Sequence, residues 1–103
     1  MSQCTVHENP GASRGAAPLL LDVQADLLSD LATRVVVPLI PLADFGRPVA
    51  RLHPTFMVSG AAHVMATHLI AAIPRAALGA EIASLADQRD QVVAAIDVVL
   101  SGV

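Results

Sequence analysis

The sequence contains no lysine, no tryptophan and no tyrosine, and among its 103 residues it has a single cysteine and two phenylalanines. Each absence removes a class of function. Without lysine, six arginines stand against nine carboxylates and the formal net charge is −3, so the basic footprint that gives nucleic-acid binders their phosphate affinity is missing. DNA is not expected as a direct ligand. Phe45 and Phe56 alone do not make the aromatic platform on which single-stranded bases stack. One cysteine, Cys4, cannot close an intrachain disulfide, which agrees with a reducing compartment. Also missing is an apolar run of the roughly 18 residues that a membrane-spanning helix needs. Pro38 and Pro41 break the richest stretch, and Asp97 interrupts the C-terminal one. Met1-Ser2-Gln3-Cys4 offers no basic region ahead of an apolar one, so no signal peptide is read and a cytoplasmic location is expected.

What is present is apolar. Hydrophobic residues make up 54% of the chain, charged residues 15%, and the mean hydropathy is +0.63, a composition that folds rather than staying disordered. The length fits one domain over residues 1–103, able to bury about two thirds of its unfolded surface in a single core. The apolar surplus exceeds what so small a core hides, and a homodimer is the economical way to cover it.

Gly, Pro and Ser crowd residues 8–18 and predict a surface loop. Leu19–Gln24 and Arg34–Ile40 are leucine-rich or β-branched runs bounded by breakers, and both read as strands. Pro38 cannot donate to a ladder, so its strand should end there, lie at an edge or carry a bulge. Between the two runs, Ala25–Leu31 makes either a single helical turn or a long hairpin loop, with Leu27 and Leu28 adjacent and not both expected to be buried. Pro41, Gly46 and Pro48 leave room only for very short elements. Leu52–Val58, the Ser59-Gly60 turn and Ala62–Ile70 read as a hairpin, although Ala62–Ala72 also passes as a helix on propensity. From Ala83 to Leu100 there is no Gly or Pro, and Leu85, Val92, Ile96 and Val99 recur at helical spacing. This predicts a C-terminal helix, with Ser84 and Asp87 as a capping box and Ser101-Gly102 as its stop.

Signals for chemistry are few. No two of His7, His53, His63 and His68 have the spacing that points both rings at one metal on a helix or strand, and His63 and His68 fall on opposite faces of a strand. Hydrogen-bonded or half-exposed histidines are the expectation, with no metal or cofactor. Cys4 reads as a small apolar residue of the first strand rather than a nucleophile. Asp22, Asp26 and Asp30 are four apart, but Asp22 falls in a strand, and loop caps and turn bonds account for them better than a carboxylate cluster. Arg34, Arg47, Arg51, Arg75 and Arg89 are scattered, and no glycine-rich phosphate loop is present.

Leu19-Leu20-Leu21-Asp22-Val23-Gln24-Ala25-Asp26-Leu27-Leu28 and Thr33-Arg34-Val35-Val36-Val37-Pro38-Leu39 strongly resemble the CcdB family, toxins of type II toxin-antitoxin pairs. Val6 with Asn9-Pro10, Leu52-His53-Pro54, Ile73-Pro74, Leu78-Gly79, Ile82–Ala86 and the ending Ala95–Val103 follow in the family's order at nearly its spacing, so the resemblance spans essentially the whole chain. It implies a mostly β, SH3-like barrel with a C-terminal α-helix, an α+β fold shared with MazF-type endoribonucleases, assembled as a two-fold homodimer. It also implies a protein that does no chemistry of its own. Such a toxin binds the GyrA subunit of DNA gyrase, traps the cleaved DNA, and is neutralised by a partly disordered CcdA-like antitoxin. The family's gyrase-contacting positions fall on Leu27, Leu28, Asp97, Ser101, Gly102 and Val103. Two of these depart from the pattern: Asp97 stands in place of an Asn and Ser101 in place of a Trp. The alternatives are the same fold acting on another target, a non-toxic antitoxin-binding module, or a MazF-type ribonuclease.

Overall fold

The structure is a computed structural model that describes residues 2–11 and 15–102. Its elements are β1 (Thr5–Glu8), β2 (Leu19–Asp22), β3 (Thr33–Pro41), a one-turn α1 (Leu42–Phe45), β4 (Thr55–Val58), β5 (Ala61–Met65), β6 (Ala71–Pro74), β7 (Glu81–Ser84) and α2 (Arg89–Ser101). The strands form an antiparallel sheet in the order β4-β5-β3-β2-β1-β7, with β6 also paired to β3. The sheet curls into a half-barrel with α2 against its core, the α+β class that the sequence predicts.

Alternation along the strands builds the core. Leu19, Leu21 and Val23 face inward beside Val35, Val37 and Leu39, because the β2–β3 register sets Leu19 opposite Leu39 and Leu21 opposite Val37. Phe56, Val58 and Met65 extend the same face, and Leu85, Val92, Ala95 and Ile96 close it from the helical side. The predicted hairpin forms as β4 and β5 about Ser59 and Gly60, both at positive φ (52° and 82°) as a two-residue turn of the primed type requires. Its second arm is a strand, as expected, but it stops at Met65, and Thr67–Leu69 is a 3₁₀ turn before β6.

Pro38 lies inside β3, a central strand, where the expectation was a strand end, an edge or a bulge. The reason is geometric. Its carbonyl accepts the Ala66 N–H at 2.9 Å, so its missing N–H faces the same side of the strand. On that side β6 pairs residues 33–36 and β5 pairs residues 39–41. The absent donor falls where one partner strand gives way to the other.

Other boundaries also differ. β2 ends at Asp22 rather than Gln24, because the Gln24 side chain, not its backbone, meets the next N–H of β3. The C-terminal helix begins at Arg89, not Ala83, because Glu81–Ser84 pairs with β1 as an edge strand and Leu85 N–H donates to Cys4 O at 2.8 Å. Edge pairing overrides the local helical period. The capping box is absent as well: Ser84 Oγ accepts the Ala86 N–H, and Gln88 is the helix's N-cap with no side-chain bond. Val99, expected on the buried stripe, is exposed, and Ala95 is buried instead. Gly102 ends the helix in the left-handed conformation (φ 75°) and donates its N–H to Val98 O at 2.9 Å, the predicted stop. The loop over 8–18 begins at Asn9, and its residues 12–14 lie outside the described ones.

Candidate partner-binding surface

Two elements carry the residues singled out as contacts. The first is the β2–β3 connection, where Asp26–Leu28 forms one 3₁₀ turn, the single helical turn that was one of the two sequence readings. Leu27 at its crest is 92% exposed and Leu28 46%. Beneath this turn lies a buried polar network. Asp22 and Arg34 are both fully buried and joined by Arg34 Nη2 to Asp22 Oδ2 at 2.7 Å and Nε to the same oxygen at 2.8 Å. Asp22 Oδ1 accepts the Gln24 N–H at 3.0 Å. The Gln24 side chain then does two things: Oε1 accepts the Val35 N–H at 3.0 Å, and Nε2 donates to Leu28 O at 2.9 Å. On the outer side, Asp26 Oδ1 accepts the Gln3 N–H at 2.7 Å, and Gln3 Oε1 accepts Arg89 Nε–H at 2.8 Å.

The second element is the end of α2. Asp97, Ser101 and Gly102 are exposed, Leu100 is 77% exposed beside them, and Ser101 Oγ donates to Asp97 O at 2.8 Å. Val103 lies outside the described residues. The structure gathers Leu27 with Leu28, and Asp97 with Ser101 and Gly102. It joins the two groups by no hydrogen bond among the described residues. The turn is tied to Arg89, at the start of α2, about 18 Å of helix away from Ser101.

Sequence reasoning missed the network. Asp22 does accept a turn bond, as expected, but its main partner is Arg34, which the sequence shows only as one of several scattered arginines. The signal was present: Asp and Arg inside otherwise apolar strands have to be paired if the strands are central. Spacing also hides how two of the histidines meet. His53 Nδ1 accepts the Val49 N–H at 2.9 Å, which leaves the proton of the neutral ring on Nε2, and that N–H donates to His68 Nδ1 at 2.9 Å. Phe45 packs edge-on against both rings, and His68 with Asp44, Phe45, Ile40 and Leu69 lines a cleft of about 350 Å³. His68 lies on the 3₁₀ turn past the end of β5, not on the strand with His63. His7 and His63 each donate Nδ1–H to a backbone carbonyl. Among the described residues no group of three or more His, Cys, Asp or Glu is placed to hold a metal ion. Cys4 is buried, and burial pushes its thiol up despite the Arg89 charge, which keeps it protonated rather than nucleophilic. No helix among the described residues is long and apolar enough to cross a membrane.

The sequence model of the CcdB protein family matches residues 3–102. The chain belongs to the CcdB family. The match runs from Gln3, ahead of β1, to Gly102 at the helix stop, and so includes the β2–β3 turn and the end of α2. No curated protein matches the chain. Among solved structures, an endoribonuclease in complex with its cognate antitoxin from a mycobacterial species is similar over 97% of this chain and 94% of that one, with a TM-score of 0.77 and 16% sequence identity. Identity that low speaks for the shared half-barrel and for nothing finer.

Proposed function

We propose that this CcdB-family chain is the toxin of a type II toxin-antitoxin pair and acts in the cytoplasm, as a homodimer, by binding a protein rather than by catalysis. Its target is the GyrA subunit of DNA gyrase, held in the DNA-cleaved state, and its neutraliser is a CcdA-like antitoxin. The observation that carries this reading is the outward presentation of Leu27 and Leu28 on a braced turn, together with an exposed α2 end at Asp97, Ser101 and Gly102. Two adjacent exposed leucines held on a hydrogen-bonded turn have the positional precision that a docking surface needs.

One observation favours ribonuclease action, the fold likeness to an endoribonuclease held with its antitoxin. The titratable groups speak against it. Cleaving a phosphodiester needs an acid and a base on opposite sides of phosphorus, whereas His53 and His68 are hydrogen-bonded to each other with no room for a phosphate between them. The formal net charge of −3 also gives no overall basic footprint for an RNA backbone.

The test pairs a cellular and a binding experiment. Expressed alone in bacteria, the chain should cause gyrase-dependent DNA breakage, and RNA degradation would instead establish the enzyme. Ser101→Trp places an indole at an exposed position whose hydroxyl only bonds back to Asp97 O. Affinity for the breakage-reunion domain of GyrA should rise about thirtyfold, on the order of 2 kcal/mol, with Tm unchanged. Unchanged affinity with a lowered Tm would place this tail inside the dimer and overturn the gyrase reading, leaving an antitoxin-binding module.

A further inference from the structure

The Asp-Val-Gln sequence at 22–24 carries the resemblance to the family, yet none of the three residues is exposed and none belongs to the contact surface. Gln24 is buried where β2 stops. Val23 N–H still donates to Val35 O at 3.0 Å, but Val35 N–H receives no backbone partner from β2 and bonds instead to Gln24 Oε1. The side-chain amide thus supplies the ladder's next rung. Its other end, Nε2, donates to Leu28 O, the carbonyl that also accepts the Leu31 N–H and so closes the exit of the turn.

We propose that Gln24 is a positioning residue for partner binding: its amide clips the Leu27–Leu28 turn to β3 and holds the two leucines in their binding arrangement. The inference rests on the reading of that turn as a contact surface. The chemistry requires an amide of this length. Val35 needs an acceptor and Leu28 needs a donor, on opposite sides of one planar group, and among side chains that long only glutamine offers both without charge. Asp22 and Arg34 act behind it, since Asp22 Oδ1 fixes the Gln24 backbone N–H and Arg34 fixes Asp22.

Gln24→Glu tests this without a change of shape. An ionised carboxylate still accepts from Val35 but meets Leu28 O with a lone pair. A protonated one donates to Leu28 O as the amide does. Burial at this position raises the pH at which the introduced group protonates, Asp22 and Asp26 act in the same direction, and Arg34, paired with Asp22, opposes it. Amide exchange protection of Leu28, Ser29 and Leu31 should fall about tenfold relative to wild type at neutral pH, and the loss should be restored in acid. Protection of Val37 and Leu39 in β3 should not change. Affinity for the gyrase breakage-reunion domain should follow the same pH profile, weakening about tenfold at neutral pH, while wild type shows no such profile.

Equal turn protection in the two proteins at every pH overturns the proposal, and so does a loss shared by β3 at both pH values, which is general destabilisation. Lost protection with unchanged affinity overturns the role in binding. If wild type binds no gyrase, the gyrase reading fails by itself and turn protection alone decides Gln24. Should Gln24→Glu fail to fold, Gln24→Met removes both bonds without charge and must show the same turn-confined loss.

Discussion

Arg34 and Asp22 sit at full burial on central strands, so their pairing decides whether this sheet tolerates charge at all. Removing one partner leaves the other uncompensated in a low-dielectric interior. Asp22→Asn and Arg34→Met should each lower the unfolding free energy by about 3–5 kcal/mol, and the double variant should cost less than the sum of the two. Urea titrations of the four proteins check this, and single losses below about 1 kcal/mol would contradict it. The His53 ring poses a different case. Burial, and next the neighbouring His68, hold it below the usual histidine range, so the unfolded chain takes up that proton first as the pH falls. The stability contribution is complete above about pH 6.5, declines below it, and levels off once the folded protein also protonates. Protonation also removes a hydrogen bond, because the His53 Nδ1 that accepts the Val49 N–H would then carry a proton of its own. The Tm of wild type should hold above about pH 6.5 and fall below it, and His53→Gln should flatten that decline. Parallel curves for the two proteins would refute the assignment.

At the scale of elements, β7 is held to the sheet through a close approach that only glycine allows. Gly79 N–H donates to Glu8 O at 3.0 Å, its carbonyl accepts His7 Nδ1–H at 3.1 Å, and a Cβ there would lie 2.7 Å from Glu8 O. Gly79→Ala should cost about 1–3 kcal/mol, with exchange protection lost in β7 and the adjoining part of β1 while β2 and β3 keep theirs. Uniform loss, or none, would show that the approach is not limiting. Legibility varied with the cause of each element. The β4–β5 hairpin was readable because Ser59-Gly60 and the flanking alternation are local signals. The start of α2 was not, since residues 83–88 have an acceptable helical period and only the arrival of β1 turns Glu81–Ser84 into a strand. Pro38 misled for a similar reason: a local rule about missing donors met a sheet whose partner strands change over at that residue.

For the whole molecule, the apolar surplus of the sequence reappears on the surface. Leu27, Val49, Met57, Leu69 and Leu100 are all exposed, and Leu42 and Ile82 with them. In the proposed homodimer a second copy covers part of this apolar surface, so the chain should sediment at micromolar concentration as a species of twice 10.6 kDa. A boundary at 10.6 kDa alone would remove the homodimer from the proposal. The proposed homodimer separates roles, because a face covered by a second copy would be closed to the proposed gyrase and antitoxin partners. Variants at Leu27 should therefore leave the sedimentation coefficient unchanged while altering partner binding.

The sequence by itself determined the class of fold, through strand-length runs that alternate and one glycine-stopped helix, and it determined the family through ordered blocks from Val6 to Gly102. It also marked Leu27 and Leu28 as a pair that one turn could not bury. Only the tertiary structure decided what braces them. Gln24 bonding to Leu28 lies four residues along the chain, but its bond to Val35 and the pairing of Asp22 with Arg34 cross from one strand to the next. His53 meets His68 at a separation of 15 residues, and Gly79 meets Glu8 where β7 comes alongside β1. Local periodicity reports which side of an element is apolar. The partner of a buried polar group is fixed by strand register, and register exists only once the strands have paired.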